Sequence, residues 1–414
     1  MQLPKMAKVK QHFSDECLSD VSYSVKESLI KAGITDLVKP GQRIAVSSGS
    51  RGISNIHSIT RTVVDAISKI GGKPFVLPAM GSHGGATSEG QKQVLASYGI
   101  DENSMECPIE ATMDVVEVGN LSDGTPVLLN RLAFEADGVI LVNRVKPHTS
   151  FRGQFESGLM KMMTIGLGSH QGATIAHSQG AEGLARLIPA WGKTILKKAP
   201  ILMGLAIVEN AYEQTLQVEA LTADKFISRE PHLLEIARRS MPQILCEGID
   251  VLIVDQIGKN ISGTGMDTNI IGRMLLPGVK EPTIPGASRI VALNLSDESH
   301  GNANGVGLAD IITRRLFETI DFKATYANVF THTFLNRANI PVIMESDQKA
   351  IEAAVSVQRL SDNKQARIVR INNTLDIGEI SVSESLLTEV LSRPDVELIN
   401  ELTHIQFDSS GSIL

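Results

Sequence analysis

The chain has 414 residues, a formal net charge of −7, and 42% hydrophobic and 21% charged residues. At about 150 residues per domain this length holds two or three domains, with cores large enough to need no disulfide or structural metal. The acidic balance and an aromatic content of only 4% argue against a nucleic-acid partner, a base-stacking surface and a polybasic membrane role.

In chain order, residues 19–38 read as an amphipathic helix and Arg43-Ile-Ala-Val-Ser47 as a short buried strand. The loop Ser48-Gly49-Ser50-Arg51-Gly52 leads into a helix over 55–70, which Gly71-Gly72 ends. Pro74–Met80 is the next strand, followed by Gly81-Ser82-His83-Gly84-Gly85-Ala86 and by Thr87 or Ser88 capping a helix through Gln91–Tyr98. Residues 113–130 form a hairpin turning at Asp123-Gly124, and Val139–Asn143 is a strand running into Arg144-Val145-Lys146-Pro147-His148.

A second unit opens near Ile249 with strands Asp250–Asp255 and Arg289–Leu295. The loop Ser296–Gly307 and a helix through Ile320 follow, then a strand Ile340–Met344, a helix Gln348–Val357, a strand Ala366–Ile371 and a helical tail Ser381–Ser392. This rhythm of strand, loop and helix means an α/β fold with mostly parallel sheets. The expected division is 1–246, 247–375 and a tail of 376–414 packing back on the N-terminal domain, with the boundary between Met241 and Gly248.

Ligands in such sheets bind at the carboxyl ends of the strands. Three strand ends deliver Ser48 with Arg51, His83, and His148. Arg51, entering a helix, suits a carboxylate or other anion. Its loop matches neither GxGxxG nor GxxxxGK[ST], so no dinucleotide fingerprint is present.

The segment from His148 to His177 adds Arg152, Glu156, Lys161 and His170, with glycines at 153, 158, 166, 168 and 172 that allow close approach of backbone to a ligand. Histidine moves protons near neutral pH and ligates metals, and a partly desolvated lysine becomes a nucleophile. No HExxH, HxH or two-His-one-carboxylate spacing occurs, although a metal held by one histidine and an organic ligand would leave no spacing signature.

Gln256 and Lys259 sit at a strand end of the second unit, where they suit a carboxylate or phosphate, and His300–Gly307 is a second close-approach loop. His12, His57, His232, His332 and His404 lack such context and read as structural or surface residues. Cys17, Cys107 and Cys246 form no CxxC pair and fit inert, partly buried thiols in a reduced, cytoplasmic compartment. Met1–Lys8 has no apolar leader character and no run of about 18 apolar residues occurs, so neither a signal peptide nor a membrane span is expected.

Arg51 in Ser-Gly-Ser-Arg, His83 in Gly-Ser-His-Gly, His148 in Lys-Pro-His, then Lys161, His177 and Gln256-Ile257-Gly258-Lys259 resemble, in order, the nickel-pincer-dependent lactate racemases and related 2-hydroxy-acid racemases and epimerases. The resemblance implies two Rossmann-like α/β domains with the active site in the interdomain cleft. It implies a nickel-pincer nucleotide (pyridinium-3-thioamide-5-thiocarboxylic acid mononucleotide) tethered to Lys161, with His177 completing the nickel plane and Ser48 beside the cofactor. His83 and His148 would be the acid/base pair, and Arg51, Gln256 and Lys259 would orient the substrate carboxylate. A small 2-hydroxy acid and the proteins that make the cofactor are the implied partners, with neither nucleic acid nor membrane.

The chain departs from the family pattern in having Ser48 where an Asp is usual. It also has a longer Pro-His to Lys interval, and Ser157-Gly158-Leu159-Met160-Lys161 in place of Gly-Gly-x-Lys. These departures point to a divergent branch and a substrate other than lactate. The residues also admit a cofactor-free carboxylate- or phosphate-binding protein, and an isomerase or lyase using His83 and His148 as simple acid and base.

Overall fold

The computed structural model describes residues 1–50, 52–276 and 279–414. The chain divides into two compact units, Ser14–Met241 and Met1–Phe13 with Pro242–Leu414. Strand β1 (Lys5–Gln11) therefore belongs to the second unit.

The first unit is built on β2 (Arg43–Ser48), β3 (Lys73–Pro78), the hairpin β4 (Val115–Asn120) and β5 (Pro126–Asn130), β6 (Gly138–Arg144), β7 (Ile201–Glu209) and β8 (Thr215–Thr222). Its main sheet runs β3-β2-β6-β7-β8. All pairs are parallel except β7 with β8. The parallel strands are near-continuous apolar runs, as strands covered on both faces must be.

Val25 and Leu29 of helix Val21–Lys31 and Ile59, Val63 and Ile67 of helix Ile56–Lys69 share a core with Ile44, Val46, Ile140, Val142, Leu205 and Ile207. The helix expected over 19–38 is broken, because Gly33 at φ +80° turns the chain between Val21–Lys31 and Ile34–Leu37. The capped helix near Gln91 runs over Ser88–Ser97, and Thr87 accepts from Gly90 N–H.

The second unit contains β9 (Val251–Ile257), β10 (Arg289–Leu295), β11 (Ile311–Thr313), β12 (Val342–Met344), β13 (Ile368–Ile371), β14 (Glu379–Ser383), β15 (Val396–Leu398) and β16 (Thr403–His404). The order is β12-β11-β10-β9-β13-β14-β1-β15, with β16 also on β1. The first five strands are parallel, and antiparallel pairing begins at β13 with β14.

Three expectations are corrected here. The helix expected through Ile320 is strand β11 followed by a short helix Arg314–Glu318. The helical tail begins as strand β14 and turns helical only at Glu384–Leu391. The domain division 1–246, 247–375 and 376–414 also changes, because the first thirteen residues and the tail both lie in the second unit. Strand pairing is the cause: β1 bridges β14 on one edge and β15 and β16 on the other.

Removing Met1–Phe13 would leave β14 and β15 without their shared partner. Limited proteolysis should then show faster cleavage within Pro242–Leu414 while Ser14–Met241 keeps its resistance. An unchanged pattern would contradict the structural role of β1.

Candidate active site

Because β3, β2 and β6 are parallel neighbours, their carboxyl ends lie side by side, with Ser48 opposite Pro78. Ser48 closes β2; it is buried, and among the described residues its Oγ has no hydrogen-bond partner. Arg51 lies outside the described residues.

His83 stands on the turn after β3. Its Nδ1 lies 2.8 Å from the Met80 carbonyl oxygen. Buried Gln91 braces the turn, its Nε2 donating to the carbonyls of Gly81 at 3.0 Å and His83 at 3.4 Å.

His148 follows β6 on a loop organised by Glu156, which is fully buried. Oε2 of Glu156 accepts from the His148 backbone N–H at 2.6 Å, and Oε1 accepts from Gly153 N–H at 3.3 Å and from Arg238 Nη2 at 2.5 Å. Arg152 adds a bond to the His148 carbonyl oxygen. The His148 ring lies 4.3 Å from the Phe151 ring, and its Nδ1 accepts from Ser150 N–H at 3.0 Å. A buried carboxylate must be paired to be tolerated, and this one is used to fix a loop.

The segment carrying Lys161 and His177 crosses the ends of β2 and β3. Asn143 Nδ2 donates to Gly158 O at 2.8 Å, and Lys146 and Ser157 exchange backbone bonds at 2.9 and 3.1 Å. Gly81 N–H donates to Gly166 O at 3.2 Å, and the Gly49 backbone comes so near Met162 that an added Cβ would sit 3.2 Å from its Cε. Half-buried Lys161 ends the helical turn Leu159–Lys161. A π turn over Met162–Gly166 follows, and half-buried His177 lies in the last turn of helix Ser169–Ser178. His170 is exposed.

Glu230, on helix Phe226–Ser240, lies under the Lys161 turn at 1% exposure. Its Oε2 accepts from Met160 N–H at 3.0 Å, while Oε1 has no hydrogen-bond partner among the described residues. Burial pushes its pKa up to about 8, so it is mostly protonated at neutral pH. A Cβ on Gly158 would meet Oε1 at 2.3 Å, so this approach requires glycine.

Gln256 and Lys259 lie in the second unit. Gln256 faces Asn294 in the β9–β10 register. Lys259 Nζ donates to Gly263 O at 2.7 Å and Asn328 Oδ1 at 2.8 Å, bonds made within its own unit. His300 takes a left-handed φ of +46° in a turn after β10.

Of the remaining histidines, His12 pairs with Glu397 and His232 Nδ1 donates to Ser228 O. The side chain of His332 lies outside the described ones. Burial pushes the Cys107 and Cys246 thiols up to about 11 and 12, which keeps them inert. Cys17 is exposed rather than partly buried.

Among the described residues no group of three or more His, Cys, Asp and Glu could hold a metal ion, and no helix is long and apolar enough to cross a membrane. Sequence reasoning named Glu156 without a role and missed Arg238 and Glu230, whose partners lie 82 and 70 residues away.

The geometry defines an α/β protein in which Ser48 ends one parallel strand while His83 and His148 follow the ends of its two neighbours. Residues 5–183 match the family described as the lactate racemase N-terminal domain. The N-terminal part of the chain is thus similar to that domain family. Among solved structures it resembles the lactate racemase apoprotein from Thermoanaerobacterium thermosaccharolyticum, at 13% identity and a TM-score of 0.57, over 89% of this chain and 99% of that one. A Thermotoga maritima protein matches at 17% identity and a TM-score of 0.48, over 66% of this chain and 70% of that one. No match was found among curated proteins.

Glu230 makes a prediction. A carboxyl whose pKa is raised to about 8 by folding binds more protons in the native state than in the unfolded one, so it lowers stability as pH rises from its unfolded value near 4.5 to about 8. Glu230→Gln should remove that slope. Its stability relative to the wild type should grow across this window by on the order of a few kcal/mol. Thermal unfolding from pH 5 to 9 measures it, and parallel curves for the two proteins would refute the assignment.

Proposed function

We propose that the protein is a racemase or epimerase of a 2-hydroxy carboxylic acid that works with a lysine-tethered nickel-pincer nucleotide. One observation carries the reading: within a lactate racemase N-terminal domain, the Lys161 arm lies over adjacent strand ends that also present Ser48 and lead to His83 and His148.

The residues fit such a group. The buried Ser48 Oγ has no hydrogen-bond partner among the described residues. Lys161 would carry the tether as a thioamide, and His177 would supply the one protein donor to nickel. When bound, the group supplies a hydride acceptor and donor for the substrate Cα.

That chemistry meets a real difficulty. The Cα–H of a 2-hydroxy carboxylate is too weakly acidic for a histidine to remove as a proton, whereas removal as hydride avoids a carbanion. The chain must then manage the hydroxyl proton, which leaves the oxygen as the keto acid forms and returns afterwards. His83 and His148 stand at the strand ends for this task. Arg51 is the sequence-based candidate for the substrate carboxylate.

Made in a host that synthesises the cofactor, the protein should gain mass on Lys161, bind nickel and racemise at least one member of a panel of chiral 2-hydroxy acids. Lys161→Ala should abolish the mass gain and the activity, and His177→Ala should keep the adduct but lose nickel. Substrate deuterated at Cα should keep its label, whereas simple acid/base chemistry would wash it into solvent. A wild type with neither adduct nor nickel would reject the mechanism.

A further inference from the structure

Two arginines of the second unit bond to the turn over 305–308, and the fold treats them differently. Arg273 Nη1 donates to Leu308 O at 3.0 Å and Asp310 Oδ2 at 2.6 Å, and its Nη2 donates to Ala287 O at 3.2 Å and Ser288 O at 3.0 Å. Arg337 is 2% exposed, yet among the described residues its Nε, Nη1 and Nη2 have no hydrogen-bond partner. A guanidinium carries five N–H donors, and leaving them dry and unpaired is strongly unfavourable. Burial lowers its pKa to about 10, so the group stays charged at neutral pH.

The backbone that carries Arg337 is fixed on two sides. Its carbonyl accepts from Gly305 N–H at 2.9 Å, and its N–H donates to Phe334 O at 3.0 Å. A Cβ on Gly307 would sit 2.0 Å from Asn336 O, so the turn Leu335–Ala338 and the turn over 305–308 touch backbone to backbone. Asn336 Nδ2 donates to Leu275 O. The acid whose charge reaches Arg337 is Glu281. Its two carboxylate oxygens accept instead from Met274 N–H and Leu275 N–H, each at 2.6 Å.

We propose that Arg337 anchors a binding site for a small monocarboxylate in the second unit. An apolar side chain of similar length would fill this position at less cost than an unpaired charge, so the arginine points to a partner from outside the chain. Its planar fork offers parallel N–H groups that match the two oxygens of a carboxylate. One buried cation with one acid near it balances a monoanion and not a phosphate dianion. The near-complete enclosure of the side chain admits only a compact ligand.

The site lies on the amino side of the sheet. Arg273 bonds to Ser288 just before β10 and to Asp310 just before β11, and Leu335–Ala338 precedes β12. Lys259, by contrast, follows the carboxyl end of β9. The carboxylate bound at Arg337 is therefore not the one expected at Lys259, and the site stands independently of the racemase reading. It would act on stability, because an anion held only by the folded unit favours that unit.

Full-length protein without cofactor tests the site. Thermal unfolding is followed in sodium formate, acetate, chloride and phosphate at equal ionic strength. Formate or acetate at about ten times its dissociation constant should raise the wild-type midpoint by about 3 °C or more above chloride, and the rise should saturate. Arg337→Met, which removes the charge at similar length, should lose that increment. No increment over chloride, or an equal one in both proteins, would overturn the site, and a larger rise with phosphate would overturn the carboxylate class. A second measurement needs no apolar variant. In protein labelled with ¹⁵N in its arginines, with Arg337→Lys assigning the signal, the Arg337 Nε–H resonance should move saturably with formate and not with chloride. A resonance that formate leaves in place would overturn the proposal.

Discussion

The candidate site depends on the parallel pairing of β2 with β3 and β6. Ser47 lies opposite Leu77 on one side and Leu141 on the other, so three chain segments leave the sheet at one edge. Parallel strands hydrogen-bond in fixed register and bury both faces, so none of the three can slip without exposing apolar side chains. Everything polar at that edge is therefore placed by a dry and rigid scaffold. The chemistry sits on the loops, and the precision comes from the strands.

Two buried acids then turn loops into rigid parts. Glu156 is satisfied by two backbone N–H groups and Arg238, and it holds the His148 loop from below. Glu230 has no such cation beside it. It remains buried largely by staying protonated, and its bond to Met160 N–H steadies the turn that presents Lys161. The same side chain type thus serves as a charged anchor in one place and a neutral one in the other, according to whether an arginine is within reach.

Much of the first unit was legible in the sequence because its strands are continuous apolar runs and its turns are marked by glycine. Ser48, His83 and His148 could be placed at strand ends for that reason. The lapses have physical causes. Lys5–Gln11 alternates exposed and buried residues, and its lysines disguise it as a solvated terminus. Strand β11 is three residues long and hides between apolar loop residues and a helix. Glu156 meets Arg238, and Glu230 meets Met160, only after the chain has folded, so no local spacing announces either contact. Lys259 read as a candidate for a carboxylate or phosphate at a strand end, and its amine donates to Gly263 and Asn328.

The π turn over Met162–Gly166 alters how the sixteen residues from Lys161 to His177 should be counted. In an unbroken α-helix each residue advances the side chain by about 100°. Here a widened turn, followed by Ser169 at a left-handed φ of +53°, resets that phase twice. The angular relation between lysine and histidine is therefore a property of the two irregularities and not of the number of residues between them. A relative could keep the same interval and lose the alignment, or change the interval and preserve it by absorbing the difference in a bulge.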